Sequence, residues 1–146
     1  EIPLRLVGSE MCIRDRHRHV VFFGDANGVL NHMKKHAAIL KPKFDIVIKT
    51  LNEELAGKGI ASWFAPKGGY FISLDVMDGC AKRVGELCKE AGVTLTSVGA
   101  TYPYGKDPNN KNIRIAPSFP PVDELSLAAE LLCICTRLAA AEKLLG

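Results

Sequence analysis

From residue 25 onward, apolar residues recur at Leu30, Met33, Ala37, Leu40, Phe44, Val47, Leu51 and Leu55, always three or four positions apart. That spacing lines one face of an α-helix and fits no strand, so it predicts one long amphipathic helix or two in tandem. Pro42 lies within the run. It lacks an amide donor and crowds the preceding turn, which predicts a kink or a restart near Leu40 and Lys41. Gly57 and Gly59 end the pattern.

The rest of the chain reads as short alternating elements. Residues 60–64 and 70–75 are rich in aromatic and branched side chains and flank the turn Pro66-Lys-Gly-Gly69, which predicts two strands. Asp78 is the expected N-cap of a helix whose face carries Ala81, Val84, Leu87, Cys88 and Ala91 and which stops at Gly92. Residues 93–97 read as another short strand. Residues 99–111 hold so much Gly, Pro, Asp and Asn that they predict a long loop. Ile113-Arg-Ile115 is a strand core, and Phe119-Pro-Pro121 leads into a last helix with Leu125, Ala128, Leu132, Cys135 and Ala139 on its apolar face. The order fits an α+β domain: a small, open, mostly antiparallel sheet covered by helices and preceded by the long helix.

Composition excludes several classes of function. At 146 residues, with 47% hydrophobic and 24% charged residues, the chain has the balance of an ordinary globular domain. Its net charge of +3 comes from scattered Lys and Arg, which predicts no nucleic-acid partner. Apolar runs such as residues 60–65 and 131–135 fall far short of the roughly 20 residues that span a bilayer, so no membrane segment is expected. The five cysteines are odd in number and show no Cys-x-x-Cys spacing. They predict buried thiols in a reducing, cytoplasmic compartment. Residues 1–19 are expected to form a non-native or disordered tail, and residues 7–16 resemble a translated sequencing adapter.

Arg114 is the residue with the clearest chemical potential. It lies between two isoleucines on a short strand, so alternation sends Ile113 and Ile115 to one face and Arg114 to the other. Two readings follow: a solvated arginine on an outer sheet face, or a planar fork whose paired donors match a carboxylate. No lysine sits in the strongly apolar setting that depresses an amine pKa for nucleophilic work. His32 and His36, one helical turn apart, could hold a metal with a third ligand, but Lys34 and Lys35 beside them favour a surface or interface pair. Gly68-Gly69 precedes a strand rather than a helix, so it reads as a turn and not as a phosphate cradle. Tyr70 and Phe71 are expected to be core and sheet residues.

Three motifs stand in order: Pro66-Lys-Gly-Gly-Tyr-Phe71, Gly99-Ala-Thr-Tyr-Pro-Tyr-Gly105 and Asn112-Ile-Arg-Ile-Ala-Pro117. With them, residues 36–145 resemble the C-terminal domain of fold-type I pyridoxal-phosphate aminotransferases, closest to the bacterial aspartate aminotransferase branch grouped with alanine-glyoxylate aminotransferases. The resemblance implies that residues 20–57 are an interdomain helix region and residues 58–146 the small C-terminal domain. It implies that Arg114 grips the α-carboxylate of the amino acid or 2-oxo acid, and that the loop of residues 99–111 borders the substrate entrance. In that family the Schiff-base lysine lies in a Ser-x-x-Lys-like segment of the large domain, and no Ser-x-x-Lys occurs here. The expectation is therefore a truncated piece of an enzyme with aspartate- or glutamate-like substrates. Its pyridoxal 5'-phosphate, large domain and homodimer partner belong to the parent, and the chain alone binds no cofactor and is inactive. The alternative is a stand-alone, non-catalytic carboxylate-binding or interaction module.

Overall fold

The computed structural model describes the backbone of residues 4–146 and the side chains of residues 12–146. Backbone contacts divide the chain into two units, Glu1–Ile39 and Leu40–Gly146. Helix α1 (Leu4–Phe23) opens the first unit and includes most of the segment expected as a tail. Helix α2 (Ala26–Leu55) begins within it as well. The carboxylate of Asp25 accepts the amide of Gly28 at 2.8 Å, the bond an N-cap makes to its third helical residue. Gly28 has to be glycine, because a Cβ there would lie 1.8 Å from the carbonyl oxygen of Phe23. His32 and His36 have ring centroids 4.4 Å apart, and His32 meets Phe22 and Phe23 edge-on. Among the described residues no group of three potential metal ligands exists.

The restart expected at Pro42 does not occur, since α2 runs unbroken through it. Pro42 and Ala38, whose carbonyl loses its helical partner, are both exposed, so water can satisfy the freed acceptor.

In the second unit, strands β1 (Ala61–Trp63), β2 (Ile72–Val76) and β3 (Asn112–Ile115) form an antiparallel sheet in the order β1-β2-β3. The register pairs Ile72 with Ile115, Ser73 with Arg114, Leu74 with Ile113 and Asp75 with Asn112. One face is apolar: Ile72, Leu74 and Ile113 are fully buried. Against it pack Val47, Leu51 and Leu55 of α2 and Ala81, Val84 and Cys88 of α3 (Ala81–Glu90). The core is completed by Leu125, Ala129, Leu132 and Cys133 of α4 (Val122–Leu145). Each such large side chain gains about 1.5–3 kcal/mol from burial, which makes this face the main source of stability. The α+β architecture is thus as expected, a small open antiparallel sheet covered by helices.

Two local expectations fail for related reasons. Asp78 is exposed and does not cap α3. The amides of Gly79, Ala81 and Lys82 are instead accepted by Asn109 O, Asn110 O and Asn110 Oδ1 at 2.7–3.1 Å, from a loop some thirty residues later. Residues 93–97 form no strand. They are joined to β3 by a side chain, with the hydroxyl of Thr96 donating to the carbonyl of Arg114 at 2.6 Å. All five cysteines are free. Cys80, Cys88, Cys133 and Cys135 are buried, while Cys12 is exposed. Burial pushes the Cys88 thiol up to about 12 and the Cys133 thiol up to about 11, so both stay protonated and inert at neutral pH.

Candidate functional site

The other face of the sheet is polar and carries Ser62, Ser73, Asp75, Asn112 and Arg114. Asn112 is its hub, 6% exposed and fully bonded. Its Nδ2 donates to Ser73 Oγ at 2.9 Å and to Asp75 Oδ1 at 2.6 Å, and its Oδ1 accepts the hydroxyl of Thr101 at 2.6 Å. One side chain therefore ties β3, β2 and the start of the long loop together. Sequence reasoning passed over this residue. Its position was nonetheless a signal, because alternation from Ile113 places Asn112 on the same face as Arg114.

The loop is ordered from within by Asp107. Its carboxylate accepts the amides of Asn109, Lys111 and Asn112 at 2.7–3.0 Å. Partial burial works to raise its pKa, but the backbone amides of Asn112, Lys111, Asn109 and Asn110 outweigh that and hold the carboxyl below the usual carboxylate value of 3.8. Gly99 completes the structure at positive φ. A Cβ there would sit 2.4 Å from the carbonyl of Gly105, so the two backbones touch and close the loop's first half on itself.

The sign of the pH effect follows. A carboxyl depressed in the folded state contributes stability above its unfolded pKa and loses it as pH falls through the folded value. Lowering the pH from about 6 to about 3 is expected to destabilise the 146-residue chain. Asp107→Asn should show a smaller acid loss than the parent, measured as urea midpoints against pH. Equal acid slopes for the two proteins would contradict the assignment.

Arg114 lies on this face on the edge strand β3 and is partly buried. Its guanidinium carbon lies 4.5 Å from the centroid of the Phe71 ring, within cation–π range. Its Nε is buried without an acceptor. Among the described residues its guanidinium has neither an ion pair nor a hydrogen bond to a protein acceptor. Asp75, the acid on the same face, is engaged by Asn112 and by Lys111 at 3.5 Å. A partly buried cation without a counter-ion costs free energy, which a planar anion at the fork would offset.

The other candidates separate from this face. Most lysines are exposed, and the two partly buried ones are engaged: Lys43 bonds the carbonyl of Ser118 at 2.8 Å and Lys111 reaches Asp75. Gly69 has φ of +94°, as a turn requires. Tyr70 and Phe71, expected as core and sheet residues facing opposite ways, instead precede β2 and are 54% and 47% exposed. Ile72 takes the inward position beside them, and parity then turns Phe71 to the face of Arg114. No described helix is long and apolar enough to cross a membrane.

A family model described as aspartate amino-transferase matches residues 6–146. The chain belongs to the aspartate aminotransferase family. An aspartate aminotransferase of Corynebacterium glutamicum is 56% identical over 124 residues, which is 85% of this chain and 29% of that protein. The crystal structure of an aspartate transaminase from the same species superposes with a TM-score of 0.83 at 55% identity, over 86% of this chain and 30% of that one. A putative aminotransferase from Corynebacterium diphtheriae gives a TM-score of 0.82 at 52% identity, over 85% and 31%. The chain thus spans about 30% of the length of these aminotransferase relatives.

Proposed function

We propose that this chain is the C-terminal part of a pyridoxal-phosphate-dependent aminotransferase acting on aspartate- or glutamate-like amino acids and their 2-oxo acid partners, and that Arg114 binds the substrate α-carboxylate. The observation that carries the reading is the uncompensated guanidinium of Arg114, stacked on Phe71 with a buried, unpaired Nε. Every substrate of such a reaction presents a planar carboxylate beside the reacting carbon, and a fixed fork orients that carbon. In this reading residues 20–57 are the interdomain helix region, residues 58–146 the small domain and residues 1–19 a tail, in a cytoplasmic enzyme that works as a homodimer.

The residues of this chain do not by themselves fit pyridoxal phosphate. A lysine that holds it needs a pKa lowered by burial or by a neighbouring cation, and no lysine here is buried. The cofactor supplies the electron sink of transamination, and its attachment is assigned to the portion of the enzyme outside this chain. This chain's share is to bind and orient the carboxylate.

The test is a chimera in which this chain replaces the matching 29% of the C. glutamicum enzyme. It should transaminate aspartate with 2-oxoglutarate, while the same enzyme without the replaced segment should not. A chimera that folds and binds pyridoxal phosphate but fails to transaminate any amino acid would overturn the proposal.

A further inference from the structure

We infer that Phe71 is a positioning residue for Arg114, holding the guanidinium in its carboxylate-binding orientation through its ring face; the inference rests on the α-carboxylate reading given above. Phe71 directly precedes β2. Ile72 is fully buried and pairs with Ile115, so Phe71 is turned to the opposite face and lies diagonal to Arg114, whose own partner is Ser73. The 4.5 Å approach of the guanidinium carbon to the ring centroid is a direct contact, not a shared neighbourhood.

The chemistry explains why an aromatic ring suits this position. A carboxylate beside Arg114 would hold the side chain as firmly, but it would neutralise the charge and compete with the ligand for the fork. A ring face attracts the cation through its quadrupole and leaves every N–H donor free. It also restricts a long side chain before the ligand arrives, so less freedom is lost on binding. Asp75, the only acid on the face among the described residues, is meanwhile held by Asn112 and Lys111. Phe71 is half exposed, so a smaller residue there opens no core cavity, and an effect of its replacement reads on Arg114 rather than on folding.

The experiment compares Phe71→Leu, Phe71→Tyr and Phe71→Trp in the chimera, with Arg114→Ala as a reference. Phe71→Leu should raise KM for aspartate about fivefold with little change in kcat, while Tyr and Trp, which keep a ring face, should stay within about twofold of the parent. In the 146-residue chain, the side-chain NMR signals of Arg114, assigned by their loss in Arg114→Lys, should lose their ring-current shift in Phe71→Leu. An unchanged KM in Phe71→Leu, or an equal loss in Phe71→Trp, overturns the inference. If Arg114→Ala raises KM and Phe71→Leu does not, the clamp stands and only the role of Phe71 falls. If Arg114→Ala also leaves KM unchanged, the carboxylate reading itself fails.

Discussion

Replacing Arg114 by alanine in the chimera is expected to lower kcat/KM for aspartate by about 30-fold to several thousandfold, the range that follows when one partner of a desolvated charge pair is truncated at a cost of about 2–5 kcal/mol. Lysine at this position should recover only part of the loss, because an ammonium group lacks the paired donors of the planar fork. Stability should move differently. The guanidinium has no ion-pair partner among the described residues, and its Nε is buried without an acceptor. Its removal is therefore expected to leave the urea midpoint of the 146-residue chain unchanged or slightly raised. A large loss of activity without loss of stability marks a residue kept for binding. A structural residue would lose both.

Leu74→Ala is expected to do the reverse. Leu74 is fully buried at the centre of the middle strand, opposite Trp63 on one side and Ile113 on the other. Truncating such a leucine removes its transfer free energy and leaves a cavity that packed neighbours refill only in part, a cost of about 2–5 kcal/mol. Against a total of about 5–15 kcal/mol for a typical domain, that is enough to unfold much of the population near physiological temperature. Leu30→Ala provides the contrast. Leu30 is 53% exposed, and its loss should change the unfolding free energy by no more than about 0.5 kcal/mol. Urea titrations followed by circular dichroism measure both.

Period and parity carried most of the fold into view. The three- and four-residue spacing from Leu30 to Leu55 predicted α2, and alternation around Arg114 predicted β3 and its two faces. Such patterns are legible because each registers burial on a single element. What escaped were contacts made between segments far apart in the chain. The N-terminus of α3 looked as if Asp78 should cap it, but Asn110 takes that role from across a loop. Residues 93–97 had the composition of a strand, yet only the hydroxyl of Thr96 joins them to the edge of β3. The continuity of α2 through Pro42 depends on exposure of the freed carbonyl, which a sequence does not record.

The site divided in the same way. Arg114 was legible as an outward-facing cation, but spacing alone left a solvated arginine as an open reading. The buried Nε, the lack of a counter-ion among the described residues and the Phe71 stack support the proposed binding role, and all three are tertiary facts. Asp107 was hidden in a loop whose composition spoke only of turns, and Asn112, the first residue of β3, was legible only by its parity with Arg114. Together they fix the backbone two residues before Arg114 and so make the orientation of its side chain reproducible.

The central claim, that Arg114 grips the α-carboxylate rather than any other part of the substrate, is tested most directly by comparing L-aspartate with its α-amide as ligands of the chimera, with and without Arg114→Ala. The α-amide keeps the side-chain carboxylate and loses only the charge that the fork is proposed to hold. With Arg114 present, the acid should bind at least about 100-fold more tightly than the α-amide, and in Arg114→Ala that preference should collapse toward unity. A preference that survives intact in Arg114→Ala would contradict the account.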